Sequence, residues 1–275
     1  MPEGDTIFRA ARTLKAALSG KTVTRFETVL PYLARVHEDT PITGRIVEDV
    51  ISRGKWMEMR FSGDLILLTH MLMSGSWHIY RPGEKWQRRH VDMRIVIGTE
   101  SIEAVAFNVP VAEFHTAESL KRRPGFNRLG EDVLAQEFSE RDAISQLRSR
   151  PDLKVGDALL NQSLLAGIGN VYKSEVSFAC GVNPFRRVAS LSEDELAALV
   201  RTARTFLKAN VREDSKDGIV TYTGFRRTTG RGNPTDRLWV YGRAGQPCRR
   251  CGTPIRMQKQ GPGARVTFWC PNCQP

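Results

Sequence analysis

The first four residues, Met1-Pro2-Glu3-Gly4, could do chemistry on their own. Removal of Met1 ahead of a proline leaves a secondary amine at the chain end. An α-amino group titrates near roughly 7.7 to 8.0, so a usable neutral fraction exists at cellular pH. Attack of that amine on a sugar C1′ gives an iminium, and its fixed positive charge makes the C2′ proton acidic, which permits strand cleavage by elimination. Glu3 stands beside it as a proton shuttle. Because Met-Pro-Glu is also a common way for a chain to begin, the rest of the chain must decide between the two readings. At the other end stand two CxxC pairs, Cys248 with Cys251 and Cys270 with Cys273, separated by eighteen residues. That is zinc-ribbon spacing. Four thiolates would close a tetrahedral site around a structural Zn2+, with iron or redox-active pairs as the alternatives. Cys180 stands alone in an apolar helical setting and reads as core.

The elements that must position these groups can be traced in order. Apolar residues at Ile7, Phe8, Ala11, Leu14 and Leu18 make a helical stripe over 6–18, with Asp5 able to cap its start and Gly20 its end. Such a helix holds the terminus still, and its positive end disfavours the protonated amine. From 22 to about 107 come seven short alternating runs (23–29, 45–51, 55–61, 65–72, 77–80, 93–97 and 102–107), punctuated by glycine. Strands in series without intervening helices imply an antiparallel sandwich or barrel that carries the N-terminal helix.

After Pro124 the period becomes helical, with helices expected over 153–162, 171–180 and 196–207. Ser192 and Glu195 have capping-box spacing before the last of these. The turn Leu164-Leu165-Ala166-Gly167-Ile168-Gly169-Asn170 delivers an Asn to a helix start. Its glycines serve either close approach of a phosphate or helix packing alone. Residues 212–237 read as a long mobile loop, linker or lid. Between the cysteine pairs, Gly261-Pro262-Gly263 can turn a hairpin with Arg265 at its tip, where an arginine suits a phosphate. The expected architecture is multidomain α+β: a β-sandwich over 1–125, a helical domain with its loop over 126–237, and a zinc finger over 238–275.

The charge balance narrows the partner. Lys plus Arg number 41 against 30 Asp plus Glu, a net +11, which favours a polyanion over an indifferent basic surface. No run of 18 apolar residues offers a membrane span, and Arg9, Arg12 and Lys15 interrupt the only candidate signal segment, so a cytoplasmic protein is expected.

Taken together, Met1-Pro2-Glu3-Gly4, Arg53-Gly54-Lys55, the Gln162-to-Asn170 turn and the four cysteines resemble the formamidopyrimidine-DNA glycosylase and endonuclease VIII family of base-excision repair enzymes. The resemblance spans essentially the whole chain. It implies an N-terminal β-sandwich, a helix-two-turn-helix domain and a zinc finger, with damaged double-stranded DNA bound between domains. It makes Pro2 the Schiff-base nucleophile and Glu3 the acid that protonates the sugar ring oxygen. Lys55 becomes a phosphate-contacting lysine on a sandwich turn, Asn170 and Arg265 the pair that grips the flanking phosphates, and Met73 the wedge that fills the gap left by a flipped base. The activity implied is removal of the base, then β,δ-elimination. No organic cofactor is implied, and a monomer is expected.

The opening Pro-Glu-Gly resembles the endonuclease VIII branch, and Asn108 to Phe114 lacks the Pro-Arg-Arg-Phe-Gly run of the guanine branch. Both features favour oxidised pyrimidines. Met73-Ser74-Gly75 is closer to the guanine branch, and Thr6 replaces a glutamate common to both. An oxidised-guanine glycosylase, or a zinc-ribbon DNA-binding protein without catalysis, are the competing readings.

Overall fold

Helix α1 (Gly4–Leu18) buries Ile7, Ala11, Leu14 and Leu18 against strand β2 (Val47–Arg53). It begins two residues earlier than the apolar stripe predicts. Glu3 is its N-cap, and Asp5, expected as the cap, lies inside the first turn with no exposed surface, 3.6 Å from Arg9. Gly20 ends the helix with φ of +79°, a conformation glycine adopts without strain. The computed structural model describes residues 2–212, 219–222 and 234–275, in two units, Met1–Arg128 and Leu129–Pro275.

The first unit is a sandwich of two four-stranded antiparallel sheets. One has the order β1 (Arg25–Thr28), β6 (Met93–Gly98), β7 (Glu103–Phe107), β5 (Ser76–Tyr80). The other runs β2, β3 (Trp56–Phe61), β4 (Leu65–His70), β8 (Val111–His115). All seven predicted runs are strands. Inward residues of both sheets, among them Met57, Met59, Leu67, Ile95, Ile97 and Ala106, share one core with α1. β7 is buried along its whole length because Tyr80 and Trp86 pack against its outward Val105 and Phe107.

Three elements of this unit were not anticipated. α2 (Pro31–Asp39) breaks the expected run of strands without helices; its only buried residue is Leu33, too little periodicity to read. β8 was hidden behind Asn108, whose φ is +50°, and Pro110, which together look like a turn. α3 (Ala117–Arg122) is a single short helix closed by a Thr116–Ser119 capping box.

The second unit contains α4 (Glu140–Arg148), α5 (Val155–Leu160), α6 (Asn170–Ala179) and α7 (Glu193–Asn210). α4 escapes sequence reading because Ala143 and Leu147 are its only buried residues. Parallel strands β9 (Glu131–Asp132) and β10 (Leu165–Ala166) pair beside the helices. Leu165, Tyr172, Val176, Leu199 and Leu207 form part of the shared core. Cys180 is half-buried at the rim of this core, its Sγ 3.3 Å from the Thr202 hydroxyl. β11 (Arg256–Gln260) and β12 (Arg265–Trp269) make the terminal hairpin. Most of the loop expected over 212–237 lies outside the described residues; within it Pro234–Arg237 forms a 3-10 turn.

The Ser192 hydroxyl accepts from the Glu195 amide at 3.1 Å, and the Glu195 carboxylate accepts from the Ser192 amide at 2.9 Å, completing the predicted box. Ser192→Ala should therefore lower stability by about 1 kcal/mol in chemical denaturation of the intact protein.

Candidate active site and metal centre

At the start of the chain, Glu3 has no exposed surface, its carbonyl accepts from the Ile7 amide at 3.1 Å, and Pro2 is half-buried directly ahead of it. Lys55 sits half-buried in the β2–β3 turn, where Gly54 has φ of +59°. The residues around this turn are stacked in layers. The Arg53 guanidinium lies 5.1 Å from the Phe126 ring, Phe126 meets Trp56 edge-on at 6.2 Å, and the Arg123 guanidinium lies 4.2 Å from the Trp56 ring. Arg123 also holds Glu113 through two hydrogen bonds of 3.0 and 2.9 Å. Those bonds bring the Glu113 carboxyl down to about 2, with His115 assisting against the opposing effect of burial.

Trp56 pairs across the ladder with His70, and the two rings meet edge-on at 4.7 Å. Burial, together with the Lys55 and Arg123 cations, lowers the His70 imidazole to about 4. Beyond His70 the chain leaves β4 in an exposed loop: Met71 is buried, whereas Leu72 is 46% and Met73 61% exposed. Met73 is therefore a surface residue and no part of the core.

In the second unit the Gln162 side chain laces the turn before α6. Its amide nitrogen donates to the carbonyls of Leu160 (2.9 Å) and Ile168 (3.0 Å), and its oxygen accepts from the Gly167 amide at 3.0 Å. Gly167, with φ of +102°, suits only a glycine well. Asn170 then opens α6 with 6% exposure, and its Oδ1 has no hydrogen-bond partner among the described residues. A buried acceptor amide in this state is primed for a ligand or water to complete it. Arg265 is exposed at the first position of β12, opposite Gln260.

The hairpin is built onto α6. Lys173, with no exposed surface, donates from Nζ to the Thr267 hydroxyl at 2.7 Å and to the Val266 carbonyl at 3.2 Å. Thr267 in turn donates to Gln260 Oε1 (2.8 Å), and Gln260 Nε2 donates to the Pro184 carbonyl (2.9 Å). Arg250 caps the C-terminal end of α6 through the carbonyls of Phe178 and Ala179, each at 3.1 Å. Lys173, Gln260 and His70 carry no spacing signal that would have marked them. A polar residue inside an apolar helical stripe, as at Lys173, is the one hint the sequence holds.

The four cysteine Sγ atoms lie within 4.8 Å of one another, with Cys251 and Cys270 at 3.4 Å and Cys248 and Cys273 at 3.9 Å. Zinc–sulfur bonds of about 2.3 Å in a tetrahedron require sulfurs about 3.8 Å apart, so the cluster fits zinc. The Arg250 amide points at Cys248 Sγ (3.4 Å), a bond that supports a metal-bound thiolate. Burial first, and the neighbouring thiols next, push Cys273 well up. Four adjacent thiolates need a cation between them. Zinc bound here supplies structure alone, since the protein donors fill its coordination sphere. Gln274 fixes the second knuckle: its Oε1 accepts from the Cys270 amide (2.9 Å) and its Nε2 donates to the Val182 carbonyl (2.9 Å).

Cys270→Ser should lose zinc, measured as metal per chain, and unfold the finger while the sandwich keeps its own melting transition. In an NMR titration His70 should stay neutral until the pH approaches about 4. Its depressed value means that its contribution to stability is complete above the unfolded value of about 6.5 and is lost as pH falls through the folded one.

Comparison with known proteins places this geometry in a family. Residues 1–109 match the formamidopyrimidine-DNA glycosylase N-terminal domain, residues 129–222 the formamidopyrimidine-DNA glycosylase H2TH domain, and residues 245–275 the zinc finger found in FPG and IleRS. A "Probable endonuclease 8 2" of Streptomyces coelicolor is 42% identical over all of this chain and 94% of its own length. The "DNA-(apurinic or apyrimidinic site) lyase Nei2" of Mycolicibacterium smegmatis is 36% identical over 100% of this chain and 99% of its own. A formamidopyrimidine-DNA glycosylase of Heliobacterium modesticaldum is 32% identical over the full length of both. Among solved structures, the Lactococcus lactis Fpg in complex with an abasic site containing DNA shares the fold, with a TM-score of 0.82, 22% identity and 99% of each chain covered. The chain belongs to the formamidopyrimidine-DNA glycosylase and endonuclease VIII family, on its endonuclease VIII branch.

Proposed function

We propose that this protein is a bifunctional DNA glycosylase and AP lyase of base-excision repair that prefers oxidised pyrimidines in duplex DNA. The enzyme class is supported by full-length relatives named endonuclease 8 and DNA-(apurinic or apyrimidinic site) lyase. The observation that carries the chemistry is the complete burial of Glu3, at the N-cap of α1, immediately behind Pro2.

In this reading the Pro2 nitrogen, freed of Met1, attacks C1′ while Glu3 delivers a proton to the sugar ring oxygen and the base departs. The resulting iminium withdraws electrons from C2′. Loss of the C2′ proton expels the 3′ phosphate, and a second elimination expels the 5′ phosphate. Lys55 contacts phosphate and assists proton transfer. The exposed guanidinium of Arg265 and the side-chain NH2 of Asn170, at the start of α6, donate to the phosphates flanking the lesion. Met73, exposed on its loop, fills the space the extruded base vacates. The net charge of +11 fits a polyanionic substrate. No described helix is long and apolar enough to cross a membrane, and the protein works on the genome in the cytoplasm, as a monomer.

Borohydride should trap the protein covalently on duplexes carrying thymine glycol or an abasic site, with attachment mapped to Pro2 and a lower yield on 8-oxoguanine. Absence of any adduct despite tight binding would overturn the catalytic reading. Equal or higher yield on 8-oxoguanine would reverse the base preference. Arg265→Ala should weaken binding by about tenfold or more and reduce the salt slope of log K by about 0.9, without loss of zinc.

A further inference from the structure

The loop that carries Met73 has an internal clamp. Leu72 adopts φ of +47°, a left-handed conformation that a leucine takes rarely and keeps only where its surroundings impose it. Two bonds impose it here. The Leu72 amide donates to His70 Nδ1 at 3.0 Å, and the Gly75 amide donates to the Met71 carbonyl at 2.9 Å. Gly75 has no freedom to be larger, since a Cβ there would stand 2.6 Å from the Met71 oxygen and 3.0 Å from the Asn108 oxygen. Between these two closures the side chains of Leu72, Met73 and Ser74 are exposed, with an apolar pair at the front.

We propose that His70 is the positioning residue of this loop: its neutral imidazole accepts the Leu72 amide and so presents Leu72 and Met73 as a preformed wedge for opening the DNA stack. The wedge part rests on the function proposed above for Met73; the bond itself does not. Nδ1 accepts only when it carries no proton, so the imidazole must be the Nε2–H tautomer. Burial beside the Lys55 and Arg123 cations keeps it uncharged at neutral pH. The ring is further fixed edge-on to Trp56, its ladder partner and the residue next to Lys55. The imidazole thereby couples the loop to the β2–β3 turn. A wedge ordered before binding avoids the entropy cost of ordering it on the DNA.

The test uses the full-length, zinc-loaded protein and three forms: wild type, His70→Asn and His70→Gln. Asparagine places its side-chain oxygen where Nδ1 stands, whereas glutamine carries its polar group onward to the position of Nε2. Hydrogen exchange at the Leu72 amide, measured by NMR without DNA, should be slow in wild type and His70→Asn. It should be faster by about three- to tenfold in His70→Gln, the loss of one hydrogen bond. Single-turnover excision from a thymine glycol duplex should fall by a similar factor in His70→Gln and recover in His70→Asn. Borohydride trapping on a single-stranded abasic oligonucleotide, which has no stack to open, should be equal in all three forms. Unchanged Leu72 exchange in His70→Gln would overturn the clamp. Equal loss on duplex and single strand would overturn the positioning role in favour of general damage to the site. If exchange responds as expected but Met73→Ala leaves duplex excision unchanged, the wedge reading of Met73 fails while the clamp stands.

Discussion

The second unit depends on the complete burial of α6. Every residue from Asn170 to Phe178 is buried, although the helix contains Asn, Lys, two Ser and Glu. Polar groups removed from water must each find a partner; the Ser177 hydroxyl donates to the Lys173 carbonyl of its own helix at 2.8 Å, and three others reach outward to other elements. Lys173 takes Val266 and Thr267 of the hairpin, and Ser174 Oγ accepts from the Phe268 amide at 3.3 Å. The Glu175 carboxylate accepts from the backbone amides of Trp239, Val240 and Tyr241 at 2.8 to 2.9 Å and from the Thr221 hydroxyl. One helix therefore determines where the finger stands, through charge-assisted bonds in a dry environment where they are strong. Asn170, at the head of the same helix, keeps an Oδ1 with no hydrogen-bond partner among the described residues.

Zinc and α6 divide the labour of holding the C-terminus. The metal closes the two knuckles on each other, while Arg250 and Gln274 tie those knuckles to the end of α6 and to Val182. Arg265 is thus carried on a short hairpin fixed at its base, although its own side chain is in solvent. The first unit solves the corresponding problem at the other terminus differently. There a helix begins at Gly4 and packs its apolar face on β2, within the core of the sandwich.

The β2–β3 turn and the loop that carries Met73 lie at neighbouring positions of one sheet because Trp56 and His70 are ladder partners. Their support is aromatic and cationic: Arg53, Phe126, Trp56 and Arg123 stack in sequence, and Glu113 neutralises Arg123. Glu113 belongs to β8, the strand hidden by Asn108 and Pro110. β8 is the edge strand of this sheet, and its Glu113 carboxylate, through Arg123 and Trp56, secures the turn of Lys55.

Local signals were legible in proportion to how much of them is local. Period-two runs predicted seven strands, a capping box predicted the start of α7, and paired CxxC spacing predicted a metal cluster whose sulfurs do converge. The strands, the box and the N-terminal motif each rest on residues a few positions apart, and the cysteine pairs on a fixed spacing of eighteen residues. α2 and α4 were silent because one or two buried residues leave no period to detect. The start of α1 was misplaced because Asp5, a good cap in isolation, is buried in the assembled unit. Tertiary structure alone decided that Met73 is exposed while Met71 is buried, that a lysine lies fully inside the second unit, and that His70 holds the amide of Leu72. These outcomes depend on which strands pair and which faces close, contacts between residues far apart in the chain that composition and periodicity do not encode.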